Sequence, residues 1–416
     1  MDVVVAGGGI AGLEGLLALH DMAGDHVSLR LISPDRDFSY RPLAVAEPFG
    51  LGHAYHVPLK QVADDVGAEL IVDAVVGADD ASRQVRLRDG GALGYDALLL
   101  ATGGRPVAGM DGATTWWPEG DPDVYGGLLR DIEEGYTKRL AIVVPLGAVW
   151  PLPVYELALM TAGEAREMGH DDVQVTIVTP EQAPLSLFGE EASEAVAEEL
   201  RWAGVDLKTG VVARKAPGGL VLDPGAEQLD AQRVFAVPRL EGPGTEGVPT
   251  DEEGFIRADD DGLIEGCERT WAAGDGVVSP LKFGGLATHQ ARRAAAAIAR
   301  LAGAGDVPDP GEAVVHGQLL VGHRRRRLRS GDDEGAPLWF PKGKVAGEYL
   351  PRWLVEHGIA PPPSEETPPG GVTVNRSLRA LRGAEAQHLF DLSRRLDSRD
   401  PAVAALGRRM RELRDR

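Results

Sequence analysis

The stretch VVVAGGGIAGLEGLLALHDMA, residues 3–23, decides the fold of this 416-residue chain. Its β-branched start predicts a buried parallel strand, and its leucine- and alanine-rich end predicts a helix. Between them, Gly7, Gly9 and Gly12 have the GxGxxG spacing. The first glycine permits a tight turn, the second leaves room for a pyrophosphate, and the third lets the helix approach the sheet. Because the helix N-terminus also offers free amide groups to an anion, the sequence predicts a dinucleotide site.

The second predicted strand, HVSLRLI, leads to Ser33, which stands 21 residues after Gly12. An acidic residue that binds a ribose hydroxyl is expected at this place. A serine hydroxyl can form the same hydrogen bond, and Asp35 is close by in sequence. The glycine loop therefore matches the usual dinucleotide-binding pattern, but Ser33 at the ribose position departs from it.

Composition restricts the function classes. A length of 416 residues allows two or three domains, and a net charge of −21 argues against a nucleic-acid partner. The sequence contains no spanning apolar run and no signal-peptide pattern, so we expect a cytoplasmic protein. Cys267 is the only cysteine, which excludes an internal disulfide and cysteine-pair redox chemistry. We expect this residue to be a buried structural thiol.

The carboxyl-terminal segment differs in charge from the rest of the chain. Residues 376–416 contain 11 Arg against six Asp and Glu, a net charge of +5. Two interpretations stay open: a solvated helical pair that closes the fold, or a basic surface helix that contacts anionic lipid at the inner face of a membrane.

Two further motifs follow the glycine loop in order. LGYDALLLATGGRP, residues 93–106, predicts a strand that ends in Ala101-Thr102-Gly103. WAAGDGVVSPLKFGGLATHQ, residues 271–290, predicts a strand, a loop and a helix. With these three motifs, residues 1–300 resemble the two-dinucleotide-domain flavoproteins of the glutathione reductase group. The resemblance implies an FAD cofactor, with no metal site.

The resemblance also implies which residues contact FAD. The ATG strand would cross beneath the cofactor, the Gly-Asp pair would hold its ribityl chain, and the following helix would point its N-terminus at the flavin ring. Such a helix end carries partial positive charge and raises the potential of a flavin that becomes anionic on reduction. The expected contacts are Gly7, Gly9, Ile10, Ala11, Gly12, Ser33, Arg41, Pro42, Val75, Ala101, Thr102, Gly103, Gly274, Asp275, Lys282, Gly285 and Leu286.

Two of these contacts have a structural alternative. SYRPLAVAEPF, residues 39–49, resembles the segment that reaches the flavin in sulfide:quinone oxidoreductases and type-2 NADH dehydrogenases. In that resemblance Arg41 approaches the cofactor, and the alternative is a structural salt bridge. Lys282 would add positive charge near the flavin, and its alternative is a surface lysine on a loop.

The chain contains an internal repeat of its first motif. AIVVPLGAVWPLPVYELAL, residues 141–159, again reads as strand, loop and helix, followed by a second strand that ends in IVTP. Pro145 replaces the first glycine, Gly147 keeps the second, and Trp150 or Leu152 replaces the third. Prolines remove amide donors and bulky side chains fill the anion's space. Ordinary NAD(P)H binding is therefore not expected here, and the ribose acid is missing unless Glu181 serves.

The repeat also argues against sulfide oxidation through a cysteine persulfide, because the chain lacks the cysteines that this reaction needs. Sulfide:quinone oxidoreductases have a pattern similar to Pro153-Val154-Tyr155-Glu156, with a catalytic cysteine where Trp150 stands here. Their other cysteine would fall near residues 314–322, which contain none. The remaining catalytic candidates are Trp150, Tyr155, Glu156 and Lys282. Glu156 is either a base or a helix cap.

The predicted fold class is α/β, with two Rossmann-like FAD/NAD(P)-binding domains of glutathione-reductase type and a small C-terminal region. The expected segments are an FAD domain at 1–108, a degenerate dinucleotide-type domain at 109–238, a return to the FAD domain at 239–305, and a C-terminal region at 306–416. That region contains a predicted hairpin at 316–340 and a polyproline-like linker at 360–371. Its Trp339, Phe340 and Tyr349 either line a quinone slot or belong to the core.

The leading functional hypothesis is an FAD-dependent oxidoreductase that passes electrons from a small-molecule donor to an acceptor such as a quinone. A second hypothesis keeps NAD(P)H as the donor through an unusual site, as in type-2 NADH dehydrogenases. A third is a non-catalytic flavin-binding or flavin-free protein. The oligomeric state stays open, with a homodimer as one candidate.

Overall fold

The computed structural model describes most of the chain up to residue 360 and parts of the remainder. The described residues are 1–118, 120–148, 150–279, 281–313, 315–321, 324–330, 347–360, 372–374, 387–389, 391–394, 396, 403–404, 406–408 and 410. Two predictions lie outside the described residues: the roles of Trp339 and Phe340, and the linker predicted at 360–371 apart from its first residue.

The helices and strands alternate through most of the chain. The helices are α1 Ile10–Ala23, α2 Leu59–Asp65, α3 Pro122–Glu133, α4 Leu152–Glu167, α5 Glu190–Ala203, α6 Gly284–Leu301 and α7 Tyr349–Glu356. The first eleven strands are β1 Asp2–Ala6, β2 Ser28–Ser33, β3 Asp37–Tyr40, β4 Tyr55–Pro58, β5 Glu69–Val72, β6 Val75–Asp79, β7 Gln84–Leu87, β8 Ala92–Gly94, β9 Ala97–Leu100, β10 Arg105–Val107 and β11 Thr114–Thr115. The others are β12 Arg139–Val143, β13 Gln174–Val178, β14 Val205–Lys208, β15 Val212–Ala216, β16 Gly219–Asp223, β17 Glu227–Asp230, β18 Arg233–Ala236, β19 Arg239–Glu241, β20 Thr270–Ala272, β21 Val315–Val321, β22 Arg324–Ser330 and β23 Val372–Val374.

The first unit is built on a parallel five-stranded sheet of order β20-β9-β1-β2-β5. Strand β1 is the central strand, and residues 3–6 are completely buried. This explains why the sequence there is continuously apolar rather than alternating. Helices α1 and α6 pack together on one face of the sheet, with apolar side chains of both in one core cluster. The antiparallel strands β6, β7 and β8 form a separate small sheet that packs against the other face.

The second unit repeats this design. Its parallel sheet has the order β11-β18-β12-β13-β14, so β12 lies between β13 and β18 as β1 lies between β2 and β9. The antiparallel strands β15, β16 and β17 cover one face. The predicted α/β class with two Rossmann-like units is confirmed. The strands of the second sheet all lie within 109–238, and β20 of the first sheet lies within 239–305.

The C-terminal region adds a hairpin and a short helix. Strands β21 and β22 pair antiparallel, as predicted, and β23 joins β22 in parallel. Helix α7 is attached to the first unit by Glu14, whose buried carboxylate accepts hydrogen bonds from the backbone amides of Glu348, Tyr349 and Leu350. Tyr349, a candidate for a quinone slot, is 4% exposed and belongs to the core cluster of the first unit.

Candidate functional site

The glycine loop after β1 is tightly packed on its sheet side. Gly7 has a φ of +126°, and a Cβ there would overlap the carbonyl oxygen of Ala101. A Cβ on Gly12 would overlap the carbonyl oxygen of Gly7. Only glycine fits at these two positions, because the loop, the ATG strand and the start of α1 touch through backbone atoms. The tight turn and the close helix approach predicted from the sequence are both present.

The same loop is open at its second motif glycine. A Cβ on Gly9 would meet no atom of the protein within 4 Å. Gly9 is also the N-cap of α1, and no side chain caps this helix among the described residues. Ile10 and Ala11 form its first turn. Free space next to uncapped amides is the geometry that a pyrophosphate requires.

The Ala101-Thr102-Gly103 segment passes beside the glycine loop. The amide of Ala101 donates to the carbonyl oxygen of Ala6 over 2.7 Å, which extends β9 alongside β1. The hydroxyl oxygen of Thr102 is buried without a hydrogen-bond partner among the described residues. An orphaned hydroxyl next to an open cradle suits a polar ligand that supplies the missing hydrogen bond.

The Gly-Asp segment follows β20, the edge strand beside β9, and reaches the cradle from the same side of β1 as the Ala101-Thr102-Gly103 segment. A Cβ on Gly274 would lie 2.9 Å from the Cβ of Ala11, and the Gly274 amide donates to Gln290 Oε1 over 2.9 Å. Asp275 is half-buried next to Gly274. The pKa of its carboxyl group is raised by loss of solvent, and the charge of Lys282 lowers it in part. The structure thus brings the three predicted motifs together around the start of α1.

Lys282 is not a surface lysine. Its side chain is 4% exposed, and its ammonium group donates a hydrogen bond to the carbonyl oxygen of Val277. The ammonium also lies 3.8 Å from the ring centroid of Phe255, a cation–π distance. The structure therefore contradicts the surface-loop alternative and favours a fixed positive charge beside Asp275.

Helix α6 follows directly and begins at Gly284. Phe283 is its N-cap position, and no side chain caps the helix among the described residues. Gly285 lies in the first turn, and Leu286 is buried. The first amides of α6 are thus available to a ligand and carry the positive end of the helix dipole.

Arg41, Pro42 and Val75 lie at the edges of this region. Arg41 is exposed and opens a 3₁₀ helix, Arg41–Phe49, whose residues Ala44 to Ala46 pack in the same apolar cluster as Leu286. Pro42 follows in the first turn and is half-buried. Val75 starts β6 and packs against the cluster that contains the end of β1. Contacts of these three residues with FAD stay predictions.

An aromatic stack joins the second unit to the start of α6. The rings of Trp150 and Phe283 are parallel within 15° at a centroid distance of 4.5 Å, and Phe188 meets Trp150 edge-on at 5.8 Å. Trp150 thus lies directly against the residue that precedes α6. Sequence reasoning missed Phe283 and Phe188, because this pairing joins segments far apart in sequence and neither residue has a motif of its own.

Tyr155 and Glu181 form a buried hydrogen-bond pair in the second unit. The Tyr155 hydroxyl donates to Glu181 Oε2 over 2.6 Å, and the Thr179 hydroxyl donates to the same oxygen over 2.9 Å. Burial, with the nearby negative charge of Glu181, raises the pKa of Tyr155 well above its usual value. Tyr155 therefore stays protonated. Glu181 is turned inward, 4% exposed, which contradicts a role as the ribose acid.

Glu156 is buried completely and links two elements. Its Oε1 accepts a hydrogen bond from the backbone amide of Leu320 over 2.9 Å, which ties α4 to β21. The observed contact favours a structural role for Glu156 over that of a base, and the helix-cap interpretation stays a prediction.

The loop of the second unit differs from the first in its surroundings. Leu146 is buried, Gly147 has a φ of +84°, and Pro145 opens the loop without an amide donor. A cavity of about 860 Å³ lies at this edge. It is lined by Ala108, Gly109, Met110, Asp111, Pro145, Leu146, Val212, Ala213, Arg214, Lys215, Asp223, Pro224, Gly225, Ala226, Arg239, Leu396 and Val403.

The described residues contain no group of three or more His, Cys, Asp or Glu side chains placed to hold a metal ion. Among the helices in the described part of the chain, none has the length and apolar character needed to cross a membrane.

Comparison with known proteins agrees with this architecture. Residues 1–299 match the pyridine nucleotide-disulphide oxidoreductase family. The chain belongs to this family, a class of oxidoreductases built on paired dinucleotide-type units. In solved structures, the fold is similar to the sulfide:quinone oxidoreductase of Aquifex aeolicus, with a TM-score of 0.61 and 20% identity over 71% of this chain and 76% of that one. The NAD-dependent persulfide reductase of A. fulgidus has a TM-score of 0.56 and 19% identity, over 77% of this chain and 62% of that one.

Two relatives found by sequence are less than 30% identical to this chain, and one of them is matched over only about half of this chain. An NADH dehydrogenase-like protein of Mycobacterium tuberculosis is 29% identical over 53% of this chain, and the match spans 58% of that protein. The ferredoxin–NAD(+) reductase subunit of a Pseudomonas putida benzene 1,2-dioxygenase system is 24% identical over 94% of this chain and 95% of the relative.

Proposed function

We propose that this protein is an FAD-dependent oxidoreductase that takes electrons from a small-molecule donor and delivers them to an acceptor such as a quinone, without cysteine chemistry. The observation that carries the proposal is the contrast between the two loops. The first is open at Gly9 beside the orphaned Thr102 hydroxyl. The second keeps a glycine at the matching position, Gly147, but Pro145 replaces Gly7 and offers no amide donor, and Leu146 beside it is buried in an apolar cluster.

The cradle fits FAD through groups of this chain. The amides at the start of α1 would hold the pyrophosphate, Asp275 and Thr102 would hydrogen-bond to hydroxyl groups of the ribityl chain, and Asp35 is an exposed carboxylate near the ribose position. When bound, the flavin supplies hydride and electron transfer at its N5 position. The amides of α6 and the fixed ammonium of Lys282 would stabilise negative charge that develops on the ring.

The aromatic stack would form one wall of the donor site. Trp150 occupies the position at which the resembling sulfide enzymes place a cysteine, and it stacks on Phe283 next to α6. A flat apolar wall orients a donor and excludes water, but it provides no nucleophile. Electron transfer would therefore run directly between donor and flavin.

A matched pair of glycine variants tests FAD binding. Gly9→Ala places a methyl group in the open space of the cradle, and Gly163→Ala places one in open space on α4. We expect Gly9→Ala to weaken FAD binding at least about tenfold while the melting temperature of the apoprotein stays unchanged, because close backbone approach is required only for the pyrophosphate. Gly163→Ala should bind FAD normally. Equal FAD affinity in both variants would contradict the proposed cradle.

Activity is tested by anaerobic stopped-flow reduction of the purified holoprotein with a panel of small donors, followed by reoxidation with a soluble quinone. Bleaching of the flavin band by one donor and its return with quinone would support the proposal. A flavin that no donor reduces would favour a non-catalytic flavoprotein instead.

A second candidate is an NAD(P)H-dependent flavin dehydrogenase. It is favoured by the similarity to an NADH dehydrogenase-like protein and to a ferredoxin–NAD(+) reductase subunit. Rapid bleaching of the flavin by NADH in the same instrument would support this candidate, whereas no bleaching over minutes would favour a different donor.

A further inference from the structure

The second unit has a defined place for a dinucleotide. In such units the pyrophosphate lies against the loop after the first strand, and the adenosine ribose lies beyond the end of the second strand. Here these places are residues 145–147, after β12, and residues 179–182, after β13. Both face the crevice beyond the carboxyl ends of the sheet.

Helical residues near the C-terminus cover the first of these places. Leu146 is 7% exposed and packs in one apolar cluster with Val403, Leu406 and Met410, each at most 6% exposed. Partly buried residues at the border of this cluster are Val212, Leu389 and Leu396. A pyrophosphate approaching this loop would meet leucine, valine and methionine side chains instead of amide groups.

The same segment is hydrogen-bonded to the second of these places, residues 179–182, through His388. Nδ1 of His388 lies 2.7 Å from the amide nitrogen Nε2 of Gln182, and its Nε2 lies 2.7 Å from the carbonyl oxygen of Pro180. Since the Gln182 nitrogen donates, Nδ1 accepts and the Nε2–H group donates to Pro180. Both partners follow β13 directly, where the adenosine ribose would lie.

A third contact joins the segment to the rest of the molecule. Arg408 Nε donates to Glu252 Oε2 over 2.9 Å, and both side chains are largely exposed. Such a pair contributes little free energy. The apolar cluster and the His388 bridge therefore determine where the segment lies. The apolar side chains of the segment pack against Leu146 of the second unit. Of the two interpretations of the basic C-terminus, this packing favours a helical pair that closes the fold and disfavours a surface that contacts lipid.

We propose that the described helical residues between 387 and 410, the tail segment, are a built-in occupant of the second dinucleotide crevice. They lie where the pyrophosphate and adenosine of NAD(P)H would lie, and they close the second unit to nicotinamide dinucleotides. The cavity of about 860 Å³ is the space that remains beside the tail segment, and Leu396 and Val403 form part of its wall. The inference concerns the second unit and excludes NAD(P)H as a donor that binds there, so it favours the first proposed function over the NAD(P)H-dependent candidate.

Hydrogen exchange tests the placement on the full-length chain. We compare the wild type with the double variant Val403→Asp/Met410→Asp, which puts two carboxylates against Leu146. The variant Arg394→Asp is the control, because it makes the same change in net charge at an exposed position of the tail segment. In the double variant we expect exchange in peptides covering 144–148 and 179–183 to become at least about tenfold faster. The control should match the wild type.

A chain that ends at residue 386 provides the second measurement. It should show the same faster exchange in both peptides, with unchanged exchange around Gly7 to Gly12. Peptides 144–148 and 179–183 that exchange equally in the wild type, the double variant and the shortened chain would overturn the proposal. Slower exchange in these peptides when NADH is added to the wild type would also overturn it. The FAD content of each sample is measured separately, so that a failure of the proposed function can be distinguished.

Discussion

Cys267 is the only thiol of the chain, and its surroundings reduce its reactivity. It is half-buried at the border of an apolar cluster in the first unit. Burial raises the pKa of the thiol to about 11, and the negative charge of Asp80 adds to the effect. Because the thiolate is the reactive form, little of it is present at neutral pH. The low reactivity agrees with the expectation that Cys267 is structural, although the thiol is half-buried and not buried as predicted.

We expect native protein at pH 8 to react with a thiol reagent such as iodoacetamide at least about a hundredfold more slowly than protein unfolded in guanidinium chloride, because only the thiolate attacks. The rate in the folded protein should rise steeply as the pH approaches 11. Mass spectrometry of the Cys267 peptide measures both rates. Equal rates for folded and unfolded protein would show that the thiol is accessible and ionised.

Single residues also show what sequence reasoning can and cannot predict. The requirement for glycine at Gly7 and Gly12 follows from the motif, because the motif describes a backbone geometry that other residues cannot adopt. The environment of Lys282 does not follow from its neighbours in sequence, because Phe255, which lies under its ammonium group, belongs to a separate segment. Glu181 was a candidate ribose acid, but its partner Tyr155 turns it inward.

At the scale of secondary-structure elements, Glu156 connects helix α4 to strand β21. Replacing it with alanine leaves the buried amide of Leu320 without its acceptor. We expect Glu156→Ala to lower the free energy of unfolding by about 1–3 kcal/mol, as is usual for a buried unsatisfied donor. Urea unfolding followed by circular dichroism measures this change.

The variant Glu156→Gln separates a structural role from a base. Its amide oxygen still accepts the hydrogen bond but cannot take up a proton at neutral pH. We expect this variant to keep the stability and the flavin reduction rate of the wild type. Glu167→Ala, at an exposed position near the end of α4, is the control for a carboxylate lost from the same helix. Loss of flavin reduction in Glu156→Gln with full stability would identify Glu156 as the base.

Elements that repeat a pattern were predictable, and contacts between distant elements were not. The strand, loop and helix order of residues 141–159 predicted the second unit, since the same order occurs at residues 3–23. The hairpin of β21 and β22 was also predicted, at residues 316–340. The packing of β21 on α4 through Glu156 was not predicted, because a carboxylate on an apolar helix face has the same sequence signal as a helix cap or a base.

His289, buried on α6, links the stability of the whole molecule to pH. It is 8% exposed, and burial lowers the pKa of its ring from 6.5 to about 4, with the positive charges of Arg292 and Arg293 adding to the effect. Below pH 6.5 the unfolded chain takes up a proton that the folded chain refuses until about pH 4. Folded stability is therefore complete above pH 6.5 and falls as the pH decreases through this window.

We expect His289 to account for a loss of about 3 kcal/mol of unfolding free energy between pH 7 and pH 4. The raised pKa values of Glu14 and Asp275 act in the opposite direction, so the comparison is made between variants. The fall in stability should be smaller in His289→Gln than in the wild type and unchanged in His20→Gln, which alters an exposed histidine of α1. Urea titrations of each protein at pH 4, 5, 6 and 7 measure the fall in the free energy of unfolding. Parallel curves for all three proteins would contradict the effect.

At the scale of the whole molecule, the two dinucleotide-type units share one architecture but differ in what covers their loops: the C-terminal residues Val403, Leu406 and Met410 pack on the loop of the second unit. The sequence predicted both copies and the difference between their loops, because loop composition is local. It left open whether the basic C-terminus meets a lipid surface or the protein itself. That choice depends on which apolar face the tail segment finds, here the cluster around Leu146.

The most direct measurement is the number and kind of dinucleotides that one chain binds. Equilibrium dialysis of the apoprotein against FAD and NADH together, with each nucleotide quantified by chromatography, should find one FAD per chain and no NADH. Two dinucleotides per chain, or NADH bound beside FAD, would show that the second crevice is open and would contradict the difference between the two units.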